Sequence, residues 1–153
     1  MSSELGKKVA TSAGGYSDGS SWGDRGLCWQ FVHKVLTDAG AKSYPDYPPP
    51  ADKRYQAYGT PGDGHIHPGD IMVFIGVTLK QASTTSGGKP AVTTTQFPAH
   101  VAIVTRIGKG GVITIVHQNH PIDSMVVSRF QFRQGDKQSG KIVVFVPALK
   151  AKK

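Results

Sequence analysis

Apolar residues in this chain keep one spacing near its start and another from residue 71 onward. Residues set at 100° intervals from Cys28 place Trp29, Phe31, Val32, Val35, Leu36 and Ala39 on one side. Gln30, His33, Lys34, Thr37 and Asp38 fall on the other. That spacing predicts an amphipathic helix over residues 28–39, stopped by Gly40 and capped near Asp24 or Gly26. From Ile71 the pattern is that of strands. Ile71–Val77 is an apolar run broken only by Gly76, and His100–Ile107 and Val112–Asn119 flank the hairpin signal Gly108-Lys109-Gly110-Gly111. Further strands are expected at Met125–Phe132 and Lys141–Val146. A helix followed by about five antiparallel strands predicts an α+β domain with the helix packed on the sheet.

The rest of the chain is read as connection. Residues up to Asp24 are rich in Gly and Ser and predict an irregular lead-in, with 1–15 and the Lys-rich tail 148–153 flexible. Residues 44–50 are dense in proline, 51–58 predict a short second helix, and 59–69 a loop. Thr78–Pro98, dominated by Thr, Ser, Gly and Lys, predicts a long exposed excursion shaped as a loose hairpin. The 153 residues suit a single domain. No apolar run is long enough to span a bilayer, and Met-Ser-Ser-Glu-Leu-Gly-Lys-Lys lacks the apolar core of a signal peptide. One cysteine excludes an internal disulfide framework. A formal charge of +8 suggests attraction to a polyanion such as an anionic wall polymer. No recognition helix, RNP-like strand or zinc-finger spacing favours nucleic acid.

Cys28 has two readings. A helix N-terminus supplies free N–H groups and partial positive charge, which lower a thiol's pKa and would suit a nucleophile. A lone Cys is also a common small core residue. The hairpin bears on the choice. A loop symmetric about Lys109 and Gly110 sets Ile107 opposite Val112 and His100 opposite Asn119. His100, Ala102 and Val104 then share a face with Ile115, His117 and Asn119. Opposed Cβ atoms lie about 4.5–5.5 Å apart and diagonal ones roughly 7–8 Å, so Asn119 would face His100 with His117 as diagonal neighbour. If the helix covers that face, Cys28 meets an imidazole able to take its proton and a third group able to hold that imidazole. A one-residue bulge would turn His117 and Asn119 away. The competing reading is a hydrogen-bonded structural histidine.

Four segments occur in order: Cys28-Trp29-Gln30-Phe31-Val32, Pro68-Gly69-Asp70-Ile71-Met72-Val73-Phe74, His100-Val101-Ala102-Ile103-Val104 and Ile115-Val116-His117-Gln118-Asn119. Together they resemble the CHAP amidase/peptidase pattern, and their order resembles that of NlpC-type cell-wall endopeptidases, over roughly Tyr16 to Val146. The resemblance implies a papain-like α+β fold hydrolysing amide bonds in peptidoglycan without a cofactor. It assigns Cys28 as nucleophile, His100 as general base and acid, and Asp70 as a structural turn residue. CHAP enzymes commonly carry glutamate where this chain has His117, whereas NlpC-type enzymes often use histidine as the third member. His117 therefore ranks ahead of Asn119. Tyr16 lies about where NlpC-type enzymes place a tyrosine near the thiol, which makes its hydroxyl a candidate oxyanion donor beside the Cys28 N–H.

The expected role is a wall lysin or a delivered toxin, the latter paired with an immunity protein. A holin, a phage tail or a secretion system would bring it to the periplasm or wall. Two other readings stand beside it. One is a metal protein liganded by His65, His67, His117 and His120. The other is a non-catalytic basic binding module on the same scaffold.

Overall fold

The later part of the chain builds an antiparallel sheet, seen in a computed structural model that describes residues 4–23, 26–43, 59–62, 64–84, 87–120 and 123–149. The strands are β1 (Thr60–Pro61), β2 (Ile71–Thr84), β3 (Pro90–Ile107), β4 (Ile113–Gln118), β5 (Val127–Phe132) and β6 (Lys137–Val146). Their order is β1-β6-β2-β3-β4-β5, so the expected strands are all present beside the two-residue β1. Two helices, α1 (Glu4–Gly14) and α2 (Cys28–Asp38), cover one face. The α+β architecture holds. Leu27, not Gly26, is the N-cap of α2, and Gly40 with φ 79° follows its end as expected. Asp24, the proline-rich 44–50 and the helix expected at 51–58 lie outside the described residues.

Helix α1 corrects the reading of the lead-in as irregular. Its buried face consists of Gly6, Val9 and Ala13, which are too small to produce a visible apolar stripe. Their smallness allows close approach. Gly69, in the Pro-Gly-Asp turn before β2, has φ 93°, and a Cβ there would run into the carbonyl oxygen of Gly6. Backbone conformation and space both demand glycine. Gly69→Ala is expected to destabilise the domain by about 3 kcal/mol in a urea titration; an unshifted midpoint would mean α1 does not seat on this turn. Beside it Asp70, 2 % exposed, accepts the His67 N–H at 2.8 Å, and its carbonyl accepts the Val104 N–H at 2.9 Å.

The sheet carries a core on each face. On the helix side, Phe31, Val32, Val35 and Leu36 of α2 pack on Ile71, Val73, Val101, Ile103 and Val116. Each of those four helix side chains is fully buried and contributes roughly 1.5–3 kcal/mol. On the far side, Met72, Phe74, Phe97, Ala102, Val104 and Ile115 form a second cluster.

Residues 78–84 and 90–98 form a largely exposed hairpin arm, as expected, but a regularly paired one instead of a loose one. Thr78 pairs with Gln96, and the ladder continues to Thr84 and Pro90. A corner sets the direction of this arm. Ile75 and Gly76 are consecutive exposed residues, as are Pro98 and Ala99 on β3, so alternation slips by one. Gly76 has φ 57°, and a Cβ on Gly140 of β6 would collide with its carbonyl oxygen. Beyond the corner Val77, Leu79 and Phe97 join the far-side cluster. The arm is largely exposed, as its composition implies, because only these few residues bury while Val92, Thr93 and Thr94 lie open to solvent.

The β3–β4 hairpin reaches the expected register by two compensating departures. Near the turn Ile107 pairs with Ile113 and Arg106 with Thr114, one residue off the expected pairing. An irregularity at Thr105 then restores it, so Val104 faces Ile115 and Ile103 faces Val116.

Candidate active site

Pairing between β3 and β4 ends at Ile103 and Val116. Residues of an antiparallel strand address their two neighbours alternately. Val104 bonds toward the β2 side, its N–H to Asp70 and its carbonyl from the Gly69 N–H. Val101 therefore points its N–H toward β4, where pairing has stopped. That N–H acts on the sulfur of Cys28, the first residue of α2.

The thiol departs from expectation. A helix N-terminus should depress its pKa, and the N–H groups of Val101, Trp29 and Cys28 itself do act in that direction. Burial acts the other way and is larger, so the Cys28 pKa is raised above its ordinary value. The resting sulfur is a neutral thiol.

His100 is 5 % exposed and His117 1 % exposed, and His100 Nε2 lies 2.8 Å from His117 Nδ1. The far-side cluster holds both rings: Phe97 stacks on His100 at 5.1 Å between centroids and lies 6.0 Å from His117. His120, only partly buried, sits 5.7 Å from the His100 ring and 5.5 Å from that of His117. Burial, then the charges of His117 and His120, push the His100 pKa well below its ordinary value. His117 is lowered to about 3, mainly by burial and secondly by His120, with Asp18 opposing. Both imidazoles are neutral near pH 7. If His100 donates Nε2–H to His117 Nδ1, its own Nδ1 lone pair remains free to accept a proton.

Two parts of the predicted arrangement need correction. Helix α2 covers the Val101–Ile103 face of β3, whereas the His100 ring packs within the aromatic cluster on the opposite face. Both faces of β3 are apolar, so alternation could not say which one the helix takes. Cys28 packs with the helix-side core and the His100 ring with the far-side aromatics, so the two do not meet across the helix–sheet interface that was expected. Tyr16 is the second correction. Its hydroxyl donates to Asp38 at 3.2 Å and its ring stands edge-on to Phe31 at 5.2 Å. Asp38 ends α2, about 15 Å along the helix from Cys28, so this hydroxyl serves the α1–α2 contact.

Of the two third-member candidates, the structure brings His117 to His100. Asn119 turns out of the strand with φ 68°, and its Oδ1 accepts the Met125 N–H at 3.0 Å. His65 and His67 lie on the loop before β2 with rings 6.5 Å apart. Among the described residues, no group of three or more His, Cys, Asp or Glu is arranged to hold a metal ion. The sequence reading passed over Gln118, a fully buried polar residue of β4 bonded to the segment preceding α2. Its signal was a glutamine at a helix-facing position, next to Val116 and Val127 of that core.

The family model described as the AIM3/BBC1 cysteine proteinase-fold domain matches residues 1–151. The chain belongs to that family. In this AIM3/BBC1 domain a helix headed by Cys28 packs on an antiparallel sheet, an arrangement compatible with the cysteine proteinase-like α+β fold of the family description. A solved structure, "The crystal structure of Ly7917", is similar in fold, with 20% identity and a TM-score of 0.52. The match covers 95% of this AIM3/BBC1 domain and 63% of that chain, so the domain spans less than two thirds of its length. Comparison with curated proteins gives no match.

Proposed function

We propose that this AIM3/BBC1 domain is a cysteine-dependent amide hydrolase, with Cys28 as nucleophile, His100 as base and acid, and His117 as the group that orients His100. The bond between His100 Nε2 and His117 Nδ1 supports this reading, because it orients an imidazole one residue along β3 from Val101, whose N–H meets the Cys28 sulfur. Such a bond fixes a tautomer and leaves Nδ1 for the thiol proton. With a neutral thiol and neutral imidazole at rest, proton transfer accompanies attack. The Cys28 S–H proton passes to His100 Nδ1 as sulfur bonds to the amide carbon. The N–H groups of Cys28 and Trp29 at the start of α2, which act on the resting sulfur, turn to the developing oxyanion as the sulfur bonds to carbon. Imidazolium then protonates the departing amine. Water, losing a proton to His100, cleaves the thioester and releases the acid.

For substrate we propose peptidoglycan amide bonds, either the N-acetylmuramoyl–L-alanine link or a stem-peptide bond. This rests on the resemblance of the four ordered segments to CHAP and NlpC-type enzymes. Basic charge favours an anionic wall and should give association that weakens with salt. The deciding experiment incubates the protein with purified sacculi, and in parallel with an unfolded protein substrate, and identifies new amine ends by mass spectrometry. New ends from sacculi support both proposals; from the unfolded protein alone, hydrolysis without the wall substrate; from neither, with the protein folded, they end the hydrolase reading.

A second reading, a non-catalytic binding module on the same scaffold, draws on one observation: burial raises the Cys28 pKa. Trapping separates the two. Rapid acid quench during turnover should leave an acyl group on Cys28 of a hydrolase, whereas a binding module stays at its unmodified mass.

A further inference from the structure

We infer that Gln118 is a positioning residue that aims Cys28 at His100, and that the end of β4 is the jig for both halves of the site. The inference rests on the proposed hydrolase reading. His117 and Gln118 are consecutive, so their side chains leave opposite faces of the strand. His117 reaches the far side and holds His100. Gln118, fully buried, reaches the helix side and uses its whole amide. Its Oε1 accepts the Trp22 N–H at 2.6 Å, while its Nε2 donates to the Trp22 carbonyl and the Leu27 carbonyl, both at 2.8 Å. Leu27 is the N-cap of α2 and immediately precedes Cys28.

These bonds span more than ninety positions and tie the nucleophile's helix to the residue next to the base's partner. The Leu27 carbonyl is shared. It also accepts the Phe31 N–H, at 3.4 Å, a long first bond for a helix. Gln118 holds that carbonyl more closely than α2 does. The Leu27 N–H in turn donates to Gln30 Oε1 at 3.1 Å, closing the cap from within the helix. Nothing else in β4 bonds to the residues directly ahead of Cys28 among the described residues. Where the reacting atoms must meet within a fraction of an ångström, this amide sets one coordinate of the encounter.

The test uses Gln118→Met, which keeps length and loses every hydrogen bond, and Gln118→Glu, which keeps the shape and the acceptor for Trp22 but loses both donors. The readout is the pH profile of Cys28 alkylation by iodoacetamide in protein shown to be folded by circular dichroism. Unlatching the Leu27 carbonyl should free the thiol, bringing its apparent pKa down toward the ordinary range. Alkylation at pH 8 should then rise severalfold in Gln118→Met, and less in Gln118→Glu, where the added carboxylate disfavours a thiolate. Imidazole nitrogen shifts of His100 and His117 should remain those of wild type, since that half of the jig is untouched. A lowered melting temperature with an unchanged alkylation profile would overturn the inference and leave Gln118 a stability residue. This readout needs no turnover. If sacculi and protein substrates stay intact while alkylation still shifts, the hydrolase reading falls and the positioning geometry stands.

Discussion

Cys28→Ala and His100→Ala are each expected to lower amide hydrolysis by about 10³-fold or more, and the double variant to be no worse than either single one. Non-additivity is the informative part, because a nucleophile and its base act on one proton. Cys28 packs at the margin of the helix-side core and Ala keeps most of its volume, so the urea midpoint should move only modestly. His117→Phe should retain the aromatic packing around Phe97 and Phe130 while removing the bond to His100 Nε2. Its turnover should fall about 10²-fold with little change in KM, since a mis-oriented imidazole affects the chemical step more than binding. Undiminished turnover in His117→Phe would remove His117 from the mechanism, and undiminished turnover in Cys28→Ala would remove the mechanism itself.

Acidification should unfold the domain well before its carboxylates titrate fully. His117 has a pKa of about 3 in the fold against an ordinary 6.5. Between those values the unfolded chain binds a proton that the folded chain refuses, so stability falls as pH falls through this window. Over the full span the loss is roughly 5 kcal/mol, and the still more buried His100 adds in the same direction. By pH 4 His117 alone removes roughly 3 kcal/mol of this, a large fraction for a domain at the lower end of the ordinary range of about 5–15 kcal/mol. Tryptophan fluorescence against pH in dilute urea should show a cooperative transition between pH 6 and 4. His117→Phe should flatten that dependence even where its stability at pH 7 is lower. A wild-type midpoint indifferent to pH across this range would mean that the imidazoles take up protons in the fold. The two predictions are linked: the burial that keeps His100 neutral at pH 7 also makes the site costly to protonate.

Much of this was legible in the chain because local physics carried it. A helix headed by Cys28 and stopped by Gly40 follows from 3.6-residue periodicity and a glycine at C′. The strands beginning at Ile71 and ending at Ile107, and that around Val112–Asn119, follow from apolar runs set about a Gly-rich turn. The pairing of Val104 with Ile115, and with it the nearness of His100 and His117, was also within reach. It survived only because the irregularity at Thr105 cancelled an offset at the turn. Helix α1 was hidden, since Gly6, Val9 and Ala13 stabilise it by allowing closeness, not by bulk.

What the sequence by itself determined was therefore the inventory: one thiol at a helix start, imidazoles on one strand face, and an α+β order of elements. Tertiary structure decided the rest. It chose which apolar face of β3 the helix covers, drew Tyr16 away to Asp38, and turned Asn119 out of the strand. It also set the thiol's ionisation against its own helix dipole. The physical reason is common to these outcomes. Periodicity reports that a residue will be buried, but the identity of its neighbours, and the water they exclude, depends on contacts between elements distant in the chain.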